Sequence, residues 1–168
     1  MNQLPILAIT SGDPAGSGPE ITVKTLLSRE MYEICRPLVI GDVNVLEQAL
    51  TFTGLSDKLS VRGIEDVKDA GFEYGTIDVY DMKMIPDLAA LEVGKVSALA
   101  GEAAFQYVVK AIDLAMKGQV DGTITNAISK EAIHQAGHHY SGHTEIYADY
   151  TGTKKYSMML AHNDFRVV

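Results

Sequence analysis

One cysteine in 168 residues, Cys35, excludes an internal disulfide and any site built on paired thiolates. Its neighbours Ile34 and Pro37 suit a half-buried structural thiol. Basic residues are few: 14 Lys and Arg stand against 22 Asp and Glu, a formal net charge of -8. Phosphate backbones need a concentrated basic face, so nucleic acid is excluded as a partner. A single anionic ligand is not excluded, because a few local donors suffice to hold one phosphate inside a net-negative protein. No apolar run approaches the ~20 residues of a membrane span, and Met1-Asn2-Gln3 leads into a strand-like segment without a basic leader. The expectation is a soluble, cytoplasmic protein with no membrane partner.

With 46% hydrophobic and 21% charged residues the composition is that of a globular chain, long enough for one domain or two small lobes. Apolar runs of period 2 alternate with amphipathic stretches of period near 3.6, the pattern of an α/β domain whose parallel strands are covered by helices. Leu4 to Thr10 reads as a strand, Ser11 to Gly18 as a glycine-rich loop, and Pro19 as the first position of a helix with Val23, Leu26, Leu27 and Met31 on one face. Leu38 to Gly41 is a short buried strand, and Val43 to Thr53 a helix stopped by Gly54. Lys58 to Val61 and Thr76 to Tyr80 read as strands at an irregular edge. The spacing of Phe105, Val109, Ile112 and Met116 predicts the longest helix over Ser97 to Lys117, closed by Gly118. Val120 to Thr125 follows as a strand, Asn126 to Ser129 as a turn, and Lys130 to Ala136 as a helix closed by Gly137. Ser157 to Ala161 and Phe165 to Val168 form a hairpin around His162-Asn163-Asp164. An ending inside an apolar run carries the expectation that further residues belong to the fold.

Ligands of open α/β sheets bind outside the carboxyl ends of the strands, where loops enter helix N-termini. Two segments fit that place. The first is Thr10-Ser11-Gly12-Asp13-Pro14-Ala15-Gly16-Ser17-Gly18-Pro19-Glu20, whose glycine spacing is neither a dinucleotide fingerprint nor a Walker loop. It reads as a ligand loop or as a purely structural turn. Within it Asp13 and Glu20 serve as acid, base or ribose acceptor, or else as acids complementing a helix dipole. The second is Ser141-Gly142-His143-Thr144-Glu145, in which Thr144 reads as an N-cap and His143 stands beside the positive end of the same helix. Together they can hold a phosphate or carboxylate, or be a plain cap with a solvated histidine. Lys130, just after the Asn126 strand end, lies where an ammonium can reach a ligand or simply be hydrated. All five histidines fall between His134 and His162. Gly137 turns His138 and His139 off the helical face of His134, so none of these is read as a metal ligand.

SGDPAGSGPE after the opening strand, GKVSALAGEAAF before the long helix, TNAISKEAIHQAG, and above all SGHTE resemble the 4-hydroxythreonine-4-phosphate dehydrogenase family over the whole chain. The resemblance implies an isocitrate/isopropylmalate dehydrogenase-like α/β/α fold in two lobes, of which residues 1–168 form the N-terminal portion. It implies NAD-dependent oxidation of a phosphorylated hydroxy acid, then metal-assisted decarboxylation, as in pyridoxine biosynthesis, by a homodimer with shared sites. His143 and Thr144 would contact the substrate, with Asn126, Lys130, Asp13 and Glu20 as further candidates. Family chains run roughly twice this length, so most NAD contacts and all of the divalent-metal ligands, none of them in this chain, are expected beyond Val168. Ser129 stands where some members have a histidine, which points to a sister activity on 4-phosphothreonate or 4-phosphoerythronate. The alternative is a non-catalytic phospho-ligand-binding half-fold that keeps GHTE without the redox chemistry.

Overall fold

Short runs rich in β-branched residues form a five-stranded parallel sheet in the computed structural model, which describes residues 4–168. The leader reading at Met1, Asn2 and Gln3 lies outside those residues. The strands are β1 (Ile6–Thr10), β2 (Arg36–Gly41), β3 (Ser60–Ile64), β4 (Thr76–Asp81) and β5 (Gly122–Thr125), in the order β3-β4-β2-β1-β5. In the central register Ala8 stands between Leu38 and Thr123. Leu38, Val39 and Ile40 are fully buried, as expected of a strand covered on both faces.

Among the described residues six α-helices accompany the sheet: α1 (Gly18–Leu26), α2 (Arg29–Ile34), α3 (Val43–Thr53), α4 (Ala98–Met116), α5 (Lys130–Gln135) and α6 (His143–Tyr150). The chain steps outward from β1 to β2 to β3 and returns across the sheet from β4 to β5. Right-handed crossovers therefore put α1 and α3, which pack together, on one face and α4 on the other. The short helices α5 and α6 lie against α4. Two strands, β6 (Leu160–His162) and β7 (Phe165–Val167), form an antiparallel hairpin with exposed side chains, turned by Asn163 at φ 49°.

The α/β class and parallel sheet agree with the sequence reading, and several details do not. Gly18, not Pro19, opens the first helix, and Met31 belongs to α2 because the chain breaks after Leu26. The third strand is Ser60–Ile64 rather than 58–61; it forms the edge, while β4 pairs on both sides. Cys35 is buried rather than half-buried, and its thiol donates to the Met31 carbonyl at 3.2 Å. The α4 stripe is also incomplete: Phe105 and Ile112 are buried but Met116 is exposed. This helix is buried on two sides. Ala100, Ala103, Tyr107, Ala111 and Leu114 join the sheet core, while Phe105, Val108 and Ile112 join Ile133 and Ile146 in a second cluster under α5 and α6. A single 3.6-residue stripe captures only one of those faces.

Candidate functional site

The glycine-rich loop is a junction between strand exits. The Ser11 amide donates to the Ile40 carbonyl at 2.9 Å and the Asp13 amide to the Ala127 carbonyl at 3.0 Å. The Asn126 side-chain amide donates to the Thr10 carbonyl at 3.0 Å and the Thr22 hydroxyl at 2.9 Å. Gly12 adopts φ +74°, and a Cβ there would press on the Ala127 carbonyl; one at Gly18 would overlap the Ser11 carbonyl. These glycines are filled by the protein's own backbone, so the residues do not form a cradle of the kind a dinucleotide pyrophosphate requires. Asp13 is buried, and its Oδ1 accepts from the Ala15 amide at 2.8 Å. Burial pushes its carboxyl above the usual range, against the lowering effect of that hydrogen bond. It therefore organises the turn. Glu20 faces outward and pairs with Lys24 at 2.5 Å, one helical turn on.

The second segment is built differently. Ser129 caps α5, its hydroxyl accepting from the Ala132 amide at 3.2 Å, and Lys130 is the exposed first residue of that helix. Gly137 takes φ +92°; its amide bonds to the His134 carbonyl and the His138 amide to the Ile133 carbonyl, each at 2.9 Å, closing α5 with a Schellman turn. In α6 the N-cap is Gly142, not Thr144. His143 is the first helical residue and Thr144 the second, because the chain enters helical geometry one glycine earlier than the hydroxyl pattern implies. Thr144 is thus released from capping and stands half-exposed beside the free first-turn amides.

His143 is half-buried, but its Nε2 is enclosed and meets no hydrogen-bond partner. Desolvation holds its pKa below the ordinary 6.5, so the ring is neutral at pH 7. An enclosed, unpaired ring nitrogen in a first helical turn is the kind of exception that marks a functional side chain. The Tyr147 hydroxyl donates to the Thr123 hydroxyl at 2.8 Å and pins α6 to the edge strand β5.

The structure thus brings Asp13 and Asn126 together at one junction and His143 and Thr144 together on α6. Among the described residues no hydrogen bond or ion pair links the two groups, and none pairs Lys130 with an acid. Sequence reasoning gave no site role to Glu102, Phe105 or Tyr147, of which Glu102 and Phe105 meet His138 and Tyr147 meets Thr123. Local spacing put Phe105 on a helix face, but these partners lie 24 residues or more away. A groove of about 510 Å³ bounded by Met82, Val109, Lys110, Met116 and Tyr150 contains none of the sequence-predicted residues. Among the described residues no group of three or more His, Cys, Asp or Glu is arranged to hold a metal ion. The implied metal therefore does not fit this residue set.

The family model of the pyridoxal phosphate biosynthetic protein PdxA matches residues 33–168. A D-threonate 4-phosphate dehydrogenase from Cupriavidus necator is 44% identical over 165 residues, 98% of this chain and 48% of that protein. The crystal structure of a 4-hydroxythreonine-4-phosphate dehydrogenase from Burkholderia phymatum superposes with a TM-score of 0.92 at 46% identity, over 98% of this chain and 49% of the other. The corresponding Klebsiella pneumoniae enzyme gives 0.89 at 35% identity, again over 98% of this chain and 49% of the other. The chain spans about half the length of the curated relatives it matches.

Proposed function

The chain belongs to the pyridoxal phosphate biosynthetic protein PdxA family, and from that premise we propose that it supplies the substrate-holding part of an NAD-dependent dehydrogenase acting on a phosphorylated hydroxy acid. The carrying observation is the neutral, enclosed His143 ring beside the uncapped Thr144 hydroxyl on the first turn of α6. A neutral imidazole offers a hydrogen bond without a charge. The adjacent hydroxyl and the free amides of the helix start favour an anionic group. The overall reaction removes a hydride from the carbon bearing the hydroxyl, delivers it to NAD, and releases the hydroxyl proton to leave a ketone. Loss of carbon dioxide from the resulting β-keto acid completes the proposed sequence. The protein would work as a cytoplasmic homodimer, with its divalent-metal ligands among residues other than those described. Asn126 and Asp13 support the strand exits in this reading, and Lys130 remains an exposed cation near them.

Between the two substrate types, D-threonate 4-phosphate is favoured. Ser129, rather than a histidine, caps α5, and that departure carries the preference. A site that hydrogen-bonds a hydroxyl where the other substrate has an amine separates them through one or two polar contacts.

Calorimetric titration of the chain with D-threonate 4-phosphate, beside His143→Ala and Thr144→Ala, tests the reading. Saturable binding weakened at least tenfold by either change is expected, with no NADH formed by this chain alone. Binding without turnover by a protein that includes the remaining half would favour the non-catalytic phospho-ligand module. No binding, or binding indifferent to both substitutions, would overturn the assignment of His143 and Thr144.

A further inference from the structure

The corner between α5 and α6 is tied to the long helix α4 by a hydrogen-bonded pair on an aromatic floor. The Schellman turn places His138 so that its ring lies flat on Phe105, with centroids 3.6 Å apart and planes inclined by 11°. Its Nε2 meets Oε2 of Glu102 at 2.6 Å, while Oε1 of the same carboxylate accepts from the Gln106 amide at 2.8 Å. Phe105, almost fully buried, also carries the Tyr140 ring at 5.7 Å and the Tyr150 ring at 5.9 Å. The Tyr140 hydroxyl donates to Asp149 of α6 at 2.6 Å, and its carbonyl meets His134 Nε2 at 3.0 Å. One ring of α4 therefore touches the side chains on both sides of Gly142, His143 and Thr144.

We propose that Glu102 and His138 are positioning residues for His143 and Thr144, holding the first turn of α6 in register with the strand edge; this rests on the reading of those two residues as substrate contacts. The bond is charge-assisted through the Glu102 carboxylate. Desolvation works to raise the Glu102 carboxyl, but the bonds from Gln106 and His138 outweigh it and hold it below its ordinary value. His138 meets Glu102 and Phe105 of α4; around that pair Gln106 bonds Glu102, the His134 ring lies against His139, Tyr140 bonds Asp149, and the Tyr150 ring lies against Phe105.

The test is amide hydrogen exchange of Ile146, whose bond to the Gly142 carbonyl closes the first turn of α6, in the wild-type chain, Glu102→Gln and Glu102→Asp at one pH. Reading each variant against the wild type at the same pH cancels intrinsic exchange. The expected ratio is roughly fivefold to thirtyfold faster exchange in Glu102→Gln. Glu102→Asp, shorter but still a carboxylate, should bring the ratio back towards one. A Glu102→Gln ratio of one would remove the pair from the site, and an equal ratio in both variants would reduce it to general packing; either overturns the proposal. Binding of D-threonate 4-phosphate is measured on the same samples. Absence of binding by the wild type would sink the functional reading while the exchange ratio still decides whether the pair positions α6.

Discussion

The side-chain amide of Asn126 donates to the Thr22 hydroxyl at 2.9 Å across 104 residues of sequence, joining the exit of the edge strand β5 to α1. The same nitrogen donates to the Thr10 carbonyl at 3.0 Å. Asn126→Ala is expected to cost about 1–3 kcal/mol, the usual range for leaving part-buried groups unpaired. Asn126→Asp should cost more, since a carboxylate has no proton to give the Thr10 carbonyl. Urea unfolding of the two variants checks the order.

Gly101 of α4 lies directly against the Ala132 carbonyl of α5, where a Cβ would overlap backbone atoms. Helix propensity alone favours alanine there by ~1 kcal/mol. The obstacle is main chain rather than a flexible side-chain tip, so Gly101→Ala is expected to destabilise by about 1–3 kcal/mol. A raised melting temperature would contradict the close crossing of α4 and α5.

Burial raises the Asp13 carboxyl above its ordinary 3.8 in the folded protein. Its stabilising contribution is therefore complete below 3.8 and is lost as pH rises through the folded value. Asp13→Asn keeps an acceptor for the Ala15 amide and avoids the buried charge. It should melt higher than the wild type at neutral pH, with the difference shrinking as the pH approaches 3.8.

For His143 the sign is reversed. Its folded pKa lies below 6.5, so its contribution is present above that pH and lost as pH falls through the folded value. His143→Gln is expected to flatten the acid side of the stability profile from 6.5 downward, measured by melting temperature at each pH. An unchanged slope would place the ring in water.

Thr144 is the second residue of α6 and caps nothing. Thr144→Ala should therefore shift stability by no more than about 0.5 kcal/mol, against ~1 kcal/mol for loss of a true N-cap. Its effect should instead appear in ligand affinity. A variant that loses stability and keeps affinity would return the residue to a capping role.

The α3 helix shows how much was legible locally. Val43 to Thr53 and its stop at Gly54, which takes φ 68°, lie where the pattern puts them. The stop at Gly137 behaves likewise, because a left-handed glycine ends a helix through its own backbone freedom. Thr144 was misread for a related reason. Threonine and glycine both suit the N-cap, and only the path of the chain out of the Schellman turn chose Gly142.

The sequence alone determined the α/β class, the positions of most strands and helices, and the family through SGDPAGSGPE and SGHTE. These rest on nearest-neighbour physics: side-chain period, caps and glycine stops. Tertiary structure alone decided that β4 lies inside the sheet with β3 and β5 at its edges, that α4 is buried on two faces, and that the glycines at 12 and 18 admit backbone instead of a ligand. It also decided that Glu102 and His138, 36 residues apart, meet where the loop after α5 crosses α4. Such contacts depend on which surfaces the crossovers bring together, a relation between distant segments that no local spacing encodes.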